Sequence, residues 1–126
     1  MFRRHFLMGG IGIATAGTAF ANSDGKLVSS IVEAIGAGGP VMIHVTAPWC
    51  GACKVQKPIV AALLTSPDFK DVKKFDVDFD TQKDVLVRYR IQRQSTMVVF
   101  NGGKEVDRQT GQTRQAGIEA LLRKAL

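Results

Sequence analysis

A buried strand that leads directly into a cysteine-bearing helix is the feature that most constrains the fold of this chain. Residues 41–45 form a nearly continuous apolar run, Val-Met-Ile-His-Val, which is typical of a central strand covered on both faces. Shortly after it, Cys50 and Cys53 open a segment that runs to Thr65 with its apolar residues at helical spacing. This order of elements predicts an α/β domain.

Further strand signals follow the first helix-forming segment. Residues 74–79 alternate polar and apolar with a period of two, which indicates a strand with one buried face. Residues 96–100 predict another strand, and the Asn-Gly-Gly at 101–103 predicts a hairpin turn into an antiparallel strand over 104–108. A strand–helix–strand unit followed by a hairpin predicts a mixed sheet of about four strands, with helices on both faces.

Four helices are predicted around these strands. The first covers residues 27–35 and the second residues 49–65. A third opens at Thr81-x-x-Asp84, which has the form of a capping box, and continues through Tyr89. The last helix is expected to bury an apolar stripe made of Ile118, Leu121, Leu122 and Leu126.

The first 21 residues have the composition of an export signal. A basic Arg3-Arg4-His5 precedes a short apolar stretch that is rich in Gly and Ala, and the stretch ends in a small–x–small pattern at residues 19–21. Two arginines followed one residue later by Phe-Leu also resemble the bacterial twin-arginine signal. We therefore expect residues 1–21 to be a cleaved signal peptide and residues 22–126 to be a periplasmic domain. An uncleaved N-terminal segment is the alternative.

Composition excludes several other classes of protein. The chain is 45% apolar and 22% charged, as in soluble globular proteins rather than disordered ones. No apolar run reaches the ~20 residues of a membrane span, so none is expected in the mature form. Removal of residues 1–21 lowers the net charge from +6 to +4. The remaining charges are scattered, so nucleic-acid binding is not expected.

The reactive chemistry is concentrated in Cys50 and Cys53. Backbone N–H groups and the macrodipole at a helix N-terminus stabilise an anion, so we expect Cys50 to be an accessible thiolate with a pKa below the free value of ~8.5. Cys53 lies one turn further on, within bonding reach, and is placed to resolve a mixed disulfide. Two other interpretations stay open: a structural disulfide, which a four-residue ring makes weakly stabilising, and a metal-handling site for copper or zinc.

The chain resembles the thioredoxin family over roughly residues 27–126. The resemblance rests on residues 47–54 (Ala-Pro-Trp-Cys-Gly-Ala-Cys-Lys), on Pro58, on a Tyr-x-Ile at 89–91, and on the Gly-Gly hairpin. Thr96 with its strand and the Thr-Gly at 110–111 also match. The resemblance implies a protein-disulfide oxidoreductase in which Cys50 is the nucleophile and Cys53 the resolving cysteine, with no metal and no cofactor beyond the dithiol.

The same resemblance implies a substrate groove and a class of partner. The groove is formed by Trp49, by the loop of Gln94, Ser95 and Thr96, and by the turn at Gly111. The implied partners are cysteine-containing exported or envelope proteins and an unidentified redox partner. The protein itself is expected to be a monomer.

Two departures from the family pattern concern the backbone. Too few residues precede the first helix for the family's first strand, so we expect that strand to be missing. Ser95 stands where the family has a cis-proline, and a cis bond before serine costs ~2.5–4 kcal/mol, so we expect a trans Gln94–Ser95 peptide. The Ser95 N–H or hydroxyl is expected near the two sulfurs, where either group would stabilise a thiolate. Loss of the proline ring also opens the pair to a soft metal.

A third departure concerns the proton acceptor. His44 stands six residues before Cys50, where the family carries a buried carboxylate. We expect His44 to accept the proton of Cys53 and to pair with Asp76 on the neighbouring strand, because imidazole exchanges protons near neutral pH. The alternative is an inert core histidine bonded to backbone.

Overall fold

The computed structural model describes residues 25–126. The predicted signal peptide and its cleavage site lie outside these described residues. The described elements in chain order are α1 (residues 25–36), β1 (Val41–Thr46), α2 (Gly51–Leu64), a short 3₁₀ helix (Pro67–Phe69), β2 (Lys73–Asp78), α3 (Lys83–Arg88), β3 (Thr96–Asn101), β4 (Lys104–Thr110) and α4 (Gln115–Lys124).

The four strands form one mixed sheet in the order β2-β1-β3-β4. The central strand β1 pairs parallel with β2 and antiparallel with β3, and β3 pairs antiparallel with β4 across the Asn-Gly-Gly hairpin. The predicted four-stranded α/β fold is therefore confirmed. The parallel β1–β2 pair places α2 as the crossover, which carries the cysteines to the carboxyl end of β1.

Side chains of β1 alternate between the two faces of the sheet, and every residue of this strand is buried. Val41, Ile43 and Val45 pack with α1 and α3 in one apolar cluster. Met42 packs with α2 and α4 in a second cluster on the opposite face. Helices thus cover both faces, as predicted. None of the helices in residues 25–126 is long and apolar enough to cross a membrane.

Two predictions about helix ends are wrong. Gln82, not Thr81, precedes the first residue of α3, and no side chain caps this helix. The Gln82 side chain instead accepts a hydrogen bond from the backbone N–H of Asp78 at 2.7 Å, which tightens the turn after β2. Leu126 is 54% exposed rather than buried, because α4 ends at Lys124 and the last residue falls beyond the apolar stripe.

Candidate active site

Cys50 occupies the N-cap position of α2, as the sequence predicts. Its backbone is extended, and its Sγ accepts a hydrogen bond from the backbone N–H of Cys53 at 3.1 Å. The unpaired N–H groups of the first helical turn therefore lie beside this sulfur, where they would stabilise a thiolate. In the disulfide neither sulfur titrates, so the lowered pKa of reduced Cys50 stays a prediction.

Cys50 and Cys53 are joined in a disulfide, with their Cα atoms 5.3 Å apart. The expectation that Cys50 is freely accessible is wrong for this oxidised form, since Cys50 is only 3% exposed and Cys53 only 1%. Both cysteines pack in a small cluster with Ala47 and the partly buried ring of Phe79. A client thiol must therefore approach Cys50 in a defined orientation to reach its sulfur.

Trp49 presents an exposed aromatic surface directly before Cys50. Its side chain is 58% exposed, as expected for a contact residue. The indole Nε1 donates a hydrogen bond to the Asp80 carboxylate at 2.9 Å, and the ring meets Phe79 edge-on with centroids 6.3 Å apart. These two contacts hold the indole in place without burying it, which suits a surface that meets a client.

Ser95 has an unusual backbone conformation. The Gln94–Ser95 peptide is trans, as predicted, and Ser95 has φ +59°, in the left-handed region that few non-glycine residues adopt. Its N–H donates to the Val45 carbonyl at 2.8 Å, so the prediction that this N–H bonds a sulfur is wrong. Among the described residues, the Ser95 hydroxyl makes no hydrogen bond to either sulfur. The backbone N–H of Ser95 is not free to bond a sulfur because it already donates to the Val45 carbonyl of β1.

The loops predicted to line the groove are joined to one another. The backbone N–H of Gly111 donates to the Ser95 carbonyl at 3.0 Å, and Gly111 itself has φ +77°. The Thr96 Oγ1 donates to the Arg93 carbonyl at 2.7 Å and lies 2.9 Å from the Thr110 Oγ1. These hydrogen bonds join the two loops, but Ser95 is only 4% and Thr96 only 2% exposed, so the predicted groove presents Gly111 and the partly exposed Gln94 to solvent rather than the side chains of Ser95 and Thr96.

His44 is completely buried, and its partner is a residue that the sequence analysis missed. The His44 Nε2 lies 2.9 Å from the Oε1 of Gln56, which is also completely buried. The amide nitrogen of Gln56 donates to the carbonyls of Ser95 at 3.1 Å and Gln112 at 2.9 Å. The Nδ1 of His44 is buried and has no hydrogen-bond partner among the described residues.

A sequence signal for Gln56 did exist. The buried residues of α2 recur at helical spacing, and Gln56 lies among them between Cys53 and Val60. A polar side chain on an inward helical stripe must be hydrogen-bonded, because burial without a partner is costly. The helical pattern therefore indicated a buried polar contact at this position, although it did not identify the partners.

The predicted His44–Asp76 pair does not form. The two residues are register partners on β1 and β2, but the Asp76 carboxylate is 62% exposed and lies 3.3 Å from the Lys74 ammonium. A carboxylate on this edge strand is better stabilised by water and lysine than by a buried ring.

The pKa of His44 lies below its usual 6.5, chiefly because the ring is buried. The Gln56 hydrogen bond and the negative charge of Asp76 act in the opposite direction and raise this pKa. The positive charges of Lys74 and Lys57 lower it further, so the imidazole is neutral at neutral pH.

The comparison with known families decides the assignment. The sequence model described as Thioredoxin matches residues 25–124, which is most of the chain. The chain belongs to the thioredoxin family. In a thioredoxin-family protein, a disulfide between two cysteines at the start of α2 is the redox-active group. This chain is therefore a protein-disulfide oxidoreductase whose substrates are cysteine-containing proteins.

Individual relatives agree with this thioredoxin assignment. A thioredoxin of Aspergillus fumigatus is 32% identical over 85 residues, which cover 68% of this chain and 76% of that protein. Thioredoxin 1 of Nostoc is 30% identical over 94 residues, which cover 75% of this chain and 87% of that protein. The crystal structure of Trxlp from Edwardsiella tarda superposes with a TM-score of 0.72 at 35% identity, covering 75% of this chain and 91% of that one.

The metal-handling alternative gains no support from the thioredoxin-like domain. Within residues 25–126, no group of three or more His, Cys, Asp or Glu side chains is arranged to hold a metal ion. The Nε2 of His44 is hydrogen-bonded to the Oε1 of Gln56, so this nitrogen is not available to a metal ion as a further ligand.

Proposed function

We propose that this thioredoxin-family protein exchanges its Cys50–Cys53 disulfide with the cysteines of exported or envelope proteins in the periplasm. The observation that carries the proposal is the placement of Cys50 at the N-cap of α2, where a thiolate is stabilised, with Cys53 bonded behind it. The basic and apolar composition of residues 1–21 supports an exported location and a twin-arginine route.

The exchange proceeds through a mixed disulfide. In the reducing direction, the Cys50 thiolate attacks one sulfur of a client disulfide, a Cys50–client bond forms, and the other client sulfur leaves as a thiolate. Cys53 then loses its proton and attacks the Cys50 sulfur, so that the Cys50–Cys53 bond forms and the second client thiolate is released. The client gains two electrons and the protein loses two, and the reverse sequence oxidises a client.

His44 is our candidate for the proton acceptor in the second step. The Cys53 sulfur lies 3.9 Å from the carbonyl of Val45, the residue next to His44 in β1. The imidazole is neutral because burial lowers its pKa, and its Nδ1 lone pair has no partner among the described residues. A neutral buried base on β1, the strand whose Val45 carbonyl lies near the Cys53 sulfur, suits removal of the thiol proton.

Client recognition is assigned to the groove residues. Trp49 offers an exposed aromatic face, and Gly111 and the partly exposed Gln94 lie on loops that the buried Ser95 and Thr96 hold in place. The proposed contacts combine burial of a client side chain against Trp49 with polar contacts to the loops. Recognition of this kind depends on the cysteine and its immediate neighbours in the client rather than on one small ligand.

A trapping experiment tests the redox assignment. Full-length Cys53→Ser is expected to accumulate a mixed disulfide with client proteins, because the resolving sulfur is absent. Cys50→Ser is the matched control and should form none. Failure of the unsubstituted protein to reduce or oxidise any test disulfide across a glutathione redox titration would overturn the assignment.

The location is tested separately. The protein recovered from cells is expected in the periplasmic fraction with Asn22 at its N-terminus, and replacement of Arg3 and Arg4 by lysine should block export. Recovery of a chain that starts at Met1 in the cytoplasmic fraction would contradict the exported location without affecting the redox chemistry.

A further inference from the structure

The orientation of the Gln56 amide is set by two backbone carbonyls. Its nitrogen lies 3.1 Å from the Ser95 carbonyl and 2.9 Å from the Gln112 carbonyl. A carbonyl oxygen only accepts, so the NH₂ group must face these two and spend both of its hydrogens on them. The opposite orientation would place the amide oxygen against two other oxygens. The Oε1 therefore faces His44.

This orientation selects one tautomer of His44. An amide oxygen accepts and cannot donate, so the His44 Nε2, which lies 2.9 Å from it, must carry the ring hydrogen. In the neutral ring the hydrogen on Nε2 leaves the lone pair on Nδ1. That Nδ1 is the one buried side-chain nitrogen or oxygen without a partner within residues 25–126.

We propose that Gln56 is a positioning residue for the redox step. It holds His44 as the Nε2–H tautomer, so that Nδ1 accepts the Cys53 proton. It also connects this proton acceptor to the substrate loops through the Ser95 and Gln112 carbonyls. The inference rests on the oxidoreductase function proposed above. In the resolving step the Cys53 S–H bond breaks, an N–H bond forms at Nδ1, and the electron pair stays on sulfur to attack Cys50. The departing client thiolate then receives a proton from the imidazolium or from water.

Charged side chains on β2 and α2 shift the protonation equilibrium of His44 without hydrogen-bonding to its ring. Asp76 on β2 favours the imidazolium, while Lys74 on β2 and Lys57 on α2 oppose it. Gln56 provides the single hydrogen bond to the ring among the described residues, and it is neutral. The side chain therefore controls which nitrogen carries the hydrogen without adding a charge that would hold the ring protonated.

The proposal is tested on the full-length reduced protein with two substitutions. Gln56→Met keeps a similar volume and removes both polar functions, so both tautomers of His44 should become populated. Gln56→Glu keeps an acceptor but adds a negative charge, so His44 should be protonated at higher pH. In both variants the release of client from the Cys50 mixed disulfide should slow about tenfold at neutral pH, part of the ~10²–10⁴-fold that general acid–base catalysis supplies. The first attack by Cys50 should keep its rate.

Two readouts distinguish positioning from simple structural support. The ¹⁵N resonances of the imidazole report the tautomer directly, and the chain holds only two histidines, so His44→Asn assigns the signals against His5. In Gln56→Glu the release rate should recover as the pH is raised and His44 loses its proton. Val60→Ala, a buried truncation in the same helix outside the network, controls for lost stability and should show neither effect.

Clear outcomes would overturn the proposal. One is a Gln56→Met protein with the wild-type tautomer and the wild-type release rate. Another is equal slowing in Val60→Ala, and a third is a Gln56→Glu pH profile that matches wild type. If Gln56→Met does not fold, Gln56→Glu decides the question. Failure of this inference leaves the unsubstituted protein active, whereas failure of the proposed function is seen as inactivity of the unsubstituted protein itself.

Discussion

Alternate residues of β1 build two different environments on the two faces of the sheet. On the apolar face, which is covered by α1 and α3, Val41, Ile43 and Val45 belong to one cluster of buried hydrophobic residues. On the site face, which is covered by α2 and α4, Met42 is followed by the buried polar pair of His44 and Gln56. One strand therefore supports a purely apolar core and a polar network, separated only by the direction of its side chains.

The difference shows where this protein tolerates a cost in stability. A buried acceptor without a partner, such as the His44 Nδ1, costs about 1–3 kcal/mol relative to a satisfied one. The described domain carries this cost at the carboxyl end of β1, in the layer that holds the disulfide. The apolar face carries nothing comparable, so the two faces should respond differently to substitution.

The largest expected effect is on the apolar face. Ile43→Ala removes a completely buried side chain and should lower the free energy of unfolding by about 2–5 kcal/mol, because both apolar burial and packing are lost. Denaturant unfolding measures this change. The rate of disulfide exchange per folded molecule should stay at the wild-type value, and a lower rate would show that the two faces are coupled.

His44→Leu should produce the opposite result on the site face. Loss of the proton acceptor should slow the resolving step by about a hundredfold. The free energy of unfolding should change by only about 1 kcal/mol, because removing the unpartnered Nδ1 is offset by stranding the Gln56 oxygen. Stopped-flow kinetics of mixed-disulfide release measures the first quantity and denaturant unfolding the second. An unchanged release rate would show that His44 is an inert core residue with no part in the resolving step.

The pH dependence of stability should also be confined to the site face. Burial lowers the pKa of folded His44 below the 6.5 of the unfolded chain, so the unfolded state binds more protons as the pH falls below about 6.5. The free energy of unfolding should therefore fall below this pH, by up to ~1.4 kcal/mol per pH unit until the folded pKa is reached. His44→Leu should abolish this fall, and Ile43→Val should retain it. An equal slope in His44→Leu would assign the effect to other groups.

The smallest effect is expected at the end of α4. Leu126→Ala should change the free energy of unfolding by less than about 0.5 kcal/mol, because this side chain is 54% exposed. Leu122→Ala, one turn earlier and completely buried, is the matched comparison and should cost about 2–5 kcal/mol. A large loss in Leu126→Ala would mean that the apolar core of the site face extends to the last residue.

The local patterns of the sequence predict most of the fold. The apolar run at residues 41–45, the period-two alternation at 74–79 and the Asn-Gly-Gly hairpin each reflect forces between near neighbours, and each element is found where predicted. The failures lie at helix ends. Thr81 has a side chain suited to a helix cap, and Leu126 has one suited to a core. In the folded chain α3 begins after Gln82, and Leu126 lies exposed beyond the end of α4.

The sequence by itself determined the reactive group, because a cysteine at a helix start and a second cysteine one turn later are placed by local geometry alone. Only the tertiary structure decided what surrounds that group. The carbonyls that accept hydrogen bonds from Gln56 belong to Ser95 and Gln112, which lie 39 and 56 residues further along the chain. The Gln112 side chain in turn fills the space that a Cβ on Gly117 would need. Such contacts depend on how the helices dock on the sheet, and a buried polar side chain takes whichever partners docking brings within hydrogen-bond distance.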